Sequence, residues 1–264
     1  MRNTLAICGK ETRVYLTTWT SYVLFAAFML ITAFFFQRFV IEFQFRSLQF
    51  MQMQAQNMID QLNLTDLVMV PVFLNVVVFF LFMLPIMTMR LVAEERRNKT
   101  LELLMTSPVR PWEIVAGKYL AALLIMGIML ALTVLFPVLL NQFGATSLGD
   151  NPLDWRTVAV SYVGMALLGA AFVAVGLFAS SVSESQIVAV LVSFAVLLMF
   201  YVIGFASRGE EGFWAQLFTY LSIHTHLEGF MRGLIRLQDV IYFTSLAFMG
   251  LFFSFRMIEA QRWR

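Results

Sequence analysis

Hydrophobic positions in this chain gather into long blocks separated by short polar stretches. Six blocks stand out, at residues 19–36, 67–89, 119–140, 157–180, 186–206 and 240–255. A helix needs about 20 apolar residues to cross the hydrocarbon core of a bilayer. Each block reaches or approaches that length, the first and last with help from flanking residues. None of the six holds Asp, Glu, Lys, Arg or His. The pattern predicts an all-α membrane protein in which residues 1–264 form a single transmembrane domain of six helices.

The segments between and beside the blocks have patterns of their own. Leu5, Ile7 and Cys8 alternate with Arg2, Lys10 and Arg13, which predicts an amphipathic surface helix ahead of span one. Span one is expected to be retained, because Phe34, Phe35 and Phe36 run into Gln37 and Arg38 with no small-residue cleavage site. Phe36, Phe39, Val40 and Phe43 continue a helical stripe beyond it. The stretch 209–239 carries Phe213, Trp214, Phe218, Tyr220, Phe230 and Leu234. Both regions predict helices lying on or dipping into the outer surface. In span four, Ala166, Ala170 and Ala174 recur at every fourth position beside Gly169 and Gly176. Small residues so spaced let helix backbones approach closely, so span four is expected inside the bundle. Pro71, Pro85 and Pro137 are read as ordinary membrane-helix prolines, and Ser183 with Gln186 as a capping box opening span five.

Composition agrees with lipid as the solvent. Hydrophobic residues make up 60% of the 264 and charged residues 13%, whereas soluble domains are near half apolar and about a quarter charged. The net charge of +2, with no long basic run, gives no reason to expect nucleic acid. Cys8 is the only cysteine, so no internal disulfide can form. Orientation follows from lysine and arginine. With the N-terminus inside, Arg2, Lys10, Arg13, Arg90, Arg96, Arg97, Lys99, Arg110, Lys118, Arg256, Arg262 and Arg264 are cytoplasmic. Arg38, Arg46, Arg156, Arg208, Arg232 and Arg236 are then external. Twelve against six favours both termini in the cytoplasm.

The missing charges also bear on function. Ion-coupled transporters and pumps bind ions through ionisable groups at membrane depth, and the six blocks offer none. That weakens a stand-alone transporter or channel and places any energy input outside the spans. The chain has no glycine-rich run ending in Lys-Ser or Lys-Thr, so it does not hydrolyse ATP by that route. No nucleophile elbow or zinc motif is present, and no enzyme activity is expected. His224 and His226 with Glu228 fall short of the four ligands of a structural metal site.

Attention therefore moves to the polar segment between spans two and three. Glu94-Glu95-Arg96-Arg97-Asn98-Lys99 precedes Thr100-Leu101-Glu102-Leu103-Leu104-Met105, then Thr106-Ser107-Pro108-Val109-Arg110-Pro111. Glu95 and Lys99 are four apart in the favourable order for a helix pair. Leu101, Leu104 and Met105 share a helical face. Pro108 stops that helix, and Pro111 suits the first turn of the next. Two short helices at the membrane surface are predicted. They could set topology only, or dock an apolar face in the groove of a soluble protein.

The run 94–111, EERRNKTLELLMTSPVRP, resembles the coupling-helix region of type-2 ABC exporter permeases, and especially the gliding-motility-associated branch. SYVLFAAF at 21–28, SSVSESQ at 180–186 and HLEGF at 226–230 resemble other segments of that branch in the same order. The resemblance implies an elbow helix before span one, a cytoplasmic coupling-helix loop, and short external helices before span six. It implies that the chain is a permease subunit of the bacterial inner membrane, which pairs with a second permease, like or unlike, and with an ABC ATPase subunit. ATP and magnesium would belong to that ATPase, leaving this chain no cofactor, while membrane lipid surrounds the spans. ATPase coupling would fall to Glu94, Glu95, Arg96, Arg97, Thr100, Leu101, Glu102, Leu103, Leu104, Thr106, Ser107 and Pro108. A scaffold of an envelope or motility machine stays open as the alternative.

Overall fold

The computed structural model describes residues 2–52, 63–100, 109–144, 153–206 and 212–261. Among them it contains helices and no strand. α1 (Arg2–Thr17) precedes α2 (Trp19–Gln52). A π-helical turn (Thr65–Met69) leads into α3 (Val70–Thr88) and α4 (Arg90–Arg97). Then come α5 (Pro111–Thr133), α6 (Leu135–Gly144), α7 (Trp155–Val182) and α8 (Gln186–Ala206). α9 (Phe213–Leu221), α10 (Ile223–Met231) and α11 (Leu237–Gln261) complete the order. Among the described residues, six helical stretches are long and apolar enough to cross a membrane: Trp19–Gln49, Thr65–Arg97, Pro111–Gln142, Trp155–Val182, Gln186–Gly204 and Leu237–Gln261.

These stretches exceed the apolar blocks in informative ways. α2 has 34 residues, about 51 Å of helix, so it continues well past a core about 30 Å thick. α5 begins before Lys118 and α11 before Asp239, and both ionisable side chains are buried, Lys118 about two turns into α5 and Asp239 in the first turn of α11. The blocks at 119 and 240 begin one residue too late to include them. Span three is broken at Val134, between α5 and α6. Pro137 has no N–H, and its ring crowds the carbonyl of Thr133 four residues back. Pro137 therefore goes with an interruption of the span's helix rather than being a passive span residue.

Span four, α7, is the hub, packing against α3, α4, α5, α8, α10 and α11. Its small residues explain how. A Cβ at Gly176 would lie 2.1 Å from Thr88 Oγ1, and one at Gly164 2.6 Å from Phe230 Cβ. From the other side, a Cβ at Gly250 of α11 would lie 2.8 Å from the backbone carbon of Ala174. The close approaches are at Gly164, Gly169, Ala174 and Gly176, spread around the helix, while Ala166 is exposed. The expected alanine row is thus only partly the packing face. Ser183 is the C-cap of α7, not the N-cap of α8. α8 starts at Gln186, and its first accepting carbonyl is that of Ser185, which bonds Ala189 N at 3.0 Å.

Candidate functional site

The ends of several elements meet at the membrane edge where the N-terminal helix lies, here termed the elbow edge. α1 turns Thr4, Cys8 and Tyr15 inward, positions that recur at helical spacing on one face. Leu5, on another face, is 67% exposed. The inward face thus mixes Thr4 with Cys8 and Tyr15, with Ile7 half-buried beside it, while the expected apolar position Leu5 is on the exposed side. Contact with span three is close, because a Cβ at Gly117 would sit 2.9 Å from both Ile7 Cβ and Thr4 O. Asn3 Nδ2 donates to Glu113 Oε2 at 3.2 Å. Glu113 also accepts from the Arg110 backbone N at 3.0 Å, closing the N-terminus of α5 behind Pro111.

Lys118 lies at the centre of this contact. Its side chain is 1% exposed, and its Nζ is 2.9 Å from Glu11 Oε1 of α1 and 2.9 Å from Glu95 Oε1 of α4. Lys10 reaches the same two carboxylates at 3.8 and 3.6 Å from the solvent side. Burying an ammonium is tolerable only with charge partners and hydrogen bonds, and two carboxylates supply them. Glu95 thus turns inward. Its expected pairing with Lys99 gives way because α4 ends at Arg97 and Lys99 adopts a left-handed φ of 56°. Thr100 Oγ1 donates back to the Glu95 carbonyl at 3.2 Å.

α4 is tied to span four as well as to α1. Leu91, Val92 and Ala93 are buried. Ser180 Oγ donates to the Met89 carbonyl at 2.8 Å and accepts from Val92 N and Ala93 N at 3.0 and 3.1 Å. One hydroxyl thus bonds three backbone groups where α3 passes into α4. Arg96 donates to the Val182 carbonyl at 3.0 Å and pairs with Glu184 at 3.2 Å. Tyr15 donates to the Met87 carbonyl at 2.6 Å, and burial pushes its phenol well above the usual range. Of the residues expected to serve coupling, Glu95 and Arg96 are held by this fold, Glu94 is half-buried, and Arg97 and Thr100 are exposed. Leu101, Glu102, Leu103, Leu104, Thr106, Ser107 and Pro108 lie outside the described residues.

The opposite edge is also built around a hub end. Asp154 N donates to Thr65 Oγ1 at 3.0 Å, and the Asp154 carboxylate caps α7 through Arg156 N and the Thr157 hydroxyl. The Thr157 hydrogen bond is the first cause that holds this carboxyl below the usual aspartate range. α9 lies exposed with Phe213 and Trp214, whereas α10 buries Ile223, Leu227 and Phe230 against the bundle. His226 stands on that buried helix. Its Nδ1 is 2.7 Å from Asp239 Oδ1 of span six and its Nε2 2.9 Å from the Tyr220 carbonyl. Its ring stacks on Tyr242 with centroids 4.1 Å apart. Both ring nitrogens are therefore engaged with α9 and α11. Among the described residues no group of three His, Cys, Asp or Glu side chains could hold a metal ion.

Sequence reasoning did not find Lys118, Glu11, Ser180 or the His226–Asp239 pair as structural joints. For Lys118 a signal existed. Helical phase carried on from Pro111 puts a lone lysine inside the start of a span, where it must have a counter-charge. No comparable signal marks Ser180, a common residue in a serine-rich stretch. The sequence profile of the ABC-2 family transporter proteins matches residues 5–254, nearly the whole chain. No curated protein matches the chain.

Proposed function

The chain belongs to the ABC-2 family of transporter proteins, and from that premise we propose that it is the permease subunit of an ABC exporter driven by a separate ATPase. The coarser statement, a multi-pass membrane subunit of an ABC transporter, follows from the family and the six helices. The finer reading adds four elements: two permeases form the substrate path, both termini are cytoplasmic, the membrane is the bacterial inner one, and the ATPase docks at the elbow edge. ATP and magnesium bind on that ATPase. The likeness to the gliding-motility branch rests on the segments at 21–28, 94–111, 180–186 and 226–230.

One observation carries the docking element. The segment that precedes residues 101–108 is fastened to three different parts of the bundle. Glu95 joins it to α1 and span three through Lys118. Ser180 and the Val182 carbonyl join it to span four. A force on the docking segment therefore reaches the elbow helix and the hub helix without passing through a loose linker. Exposed Arg97, Lys99 and Thr100 then face the ATPase together with residues 101–108.

The test is flux in proteoliposomes carrying the chain with its ATPase, against an ATPase-dead control. Transport is expected only with the active ATPase. Arg97→Glu, a charge reversal, and Leu104→Glu, which puts a charge on an apolar docking position, are expected to lower flux at least about tenfold while ATP hydrolysis continues. Flux independent of the ATPase would sink the reading. Absence of flux in both, with the ATPase bound, would favour the scaffold alternative.

A further inference from the structure

A cavity of about 350 Å³ opens at the elbow edge between the first turns of spans one and five and the last turn of span two. Spans one and five each pack against span two. Leu24 and Ile86 form its wall toward the membrane core, and Ser21 and Gln186 line its polar end. Two charges of opposite sign face it, Arg90 and Glu94. They lie four apart on α4, about 6 Å of rise, yet no ion pair joins them. Arg90 is half-buried and held in place: its guanidinium lies 5.0 Å over the Tyr15 ring, with Nη2 3.4 Å from Ser21 Oγ. Among the described residues no carboxylate pairs with it within ion-pair distance. Glu94, also half-buried, likewise has no ion-pair partner there.

We propose that this cavity binds the headgroup of a phospholipid carrying both a phosphate and a primary amine, of the phosphoethanolamine type, drawn from the leaflet on the α1 side. A planar guanidinium fixed by stacking is suited to bidentate phosphate binding. A carboxylate one turn away suits an ammonium with N–H donors. The ethylene bridge between phosphate and amine spans a distance of the same order as one helical turn, about 5.4 Å. The chains would follow Leu24 and Ile86 into the bilayer, where Val23, Ile187 and Leu191 are exposed beside the cavity. A purely anionic headgroup would place its negative charge near Glu94 with no ammonium to offset it. A quaternary ammonium would offer Glu94 no hydrogen-bond donor. This inference does not rest on the transport reading, since binding is measured on the chain alone.

Native mass spectrometry of the delipidated full chain in detergent tests it. The probes are phosphatidylethanolamine, phosphatidylglycerol and phosphatidylcholine of equal chain length, with free phosphoethanolamine as the water-soluble arm. Phosphatidylethanolamine is expected to bind about tenfold better than the other two, the scale of one charge-assisted hydrogen bond. Arg90→Gln should reduce binding of all three, and Glu94→Gln should erase the preference for the amine. Arg90→Lys keeps the charge and guards against a folding defect, and should retain part of the binding. Arg46→Gln, on the far end of α2, should change nothing. Equal binding of the three lipids, or wild-type selectivity in Glu94→Gln, overturns the proposal. Free phosphoethanolamine competing as well as the lipid would overturn the lipid assignment.

Discussion

Replacing Lys118 by Met removes a buried positive charge and leaves Glu11 and Glu95 facing each other. The two side chains are 13% and 15% exposed, so neither is free to turn to bulk water. At 2.9 Å and an effective dielectric near 20, each contact is worth roughly 6 kcal/mol of attraction. Desolvation of the three ions offsets most of that. Breaking one member out of a buried ion pair costs about 3–5 kcal/mol. Lys10 is a weak substitute, because its side chain is 64% exposed and lies 3.6 Å or more away. Methionine fills the volume of the lysine stem, so the loss is electrostatic. It should appear where the ion group holds α1 to span three, as local opening rather than global unfolding. Hydrogen exchange of the α1 amides is the assay. A loss of about 3–5 kcal/mol corresponds to about two to four decades of protection. A variant with Met at Glu11, Glu95 and Lys118 should recover most of it, since an apolar replacement of a whole buried group is near neutral. Protection of α1 in Lys118→Met within about threefold of wild type would refute the reasoning.

Gly250→Ala should destabilise the protein by about 1–3 kcal/mol, because the new methyl meets the Ala174 backbone, which cannot move aside. Gly127→Ala, with nothing within 4 Å of the added carbon, should leave the heat-resistant fraction in nanodiscs unchanged or raised. Ser180→Ala leaves two N–H groups and a carbonyl without that hydroxyl at the α3–α4 junction. It should cost at least about 1–3 kcal/mol, read as faster amide exchange at Val92 and Ala93. Asp154 has a folded-state pKa below its unfolded value. Its contribution to the cap is therefore present above the ordinary aspartate range, near 4, and is lost as pH falls through the folded value. The protection factors at the start of α7, corrected for the intrinsic pH dependence of exchange, should fall in acid for the wild type, and Asp154→Asn, which keeps a capping side chain, should remove that fall.

The six spans were legible because lipid as a solvent leaves a strong mark on composition and block length. Their ends were not. Lys118 and Asp239 look like loop residues by charge, yet each continues a helix and is buried by a partner on another helix. Glu11 is 107 residues from Lys118, and His226 is 13 from Asp239. Pairings of that kind are fixed by how helices pack, which periodicity within one helix does not reveal. The Glu95–Lys99 expectation failed for the same reason. A surface pair worth a few tenths of a kcal/mol competes with a buried contact to Lys118, and the left-handed turn at Lys99 carries that side chain away. Pro111 at the start of α5 was readable because its signal is local, a missing N–H where none is needed. The elbow edge was therefore legible as a place, but the joints Glu11–Lys118–Glu95 and Ser180–Met89 were not.

The distribution of packing also limits where a path across the membrane can run. In its most apolar window span four is 61% buried, while spans one and five are 11% and 17% buried. The small faces of span four are already filled by Met126, Thr88 and Phe230 and by the close approach of Gly250. Opening a path along that helix would break contacts on every side at once, and packed interiors resist such change. Spans one and five carry most of their apolar surface outward, including Leu30, Phe34, Leu191 and Met199. Such surface meets either lipid or another protein. In the pairing proposed above, a path between two permease subunits, like or unlike, would be lined by spans one and five with the free side of span two, where Phe82 and Ile86 are exposed. Those are the same three helices that frame the Arg90–Glu94 cavity. In the assembly proposed above, a phospholipid headgroup held there would lie beside that path, about one turn of helix from the segment proposed to dock the ATPase.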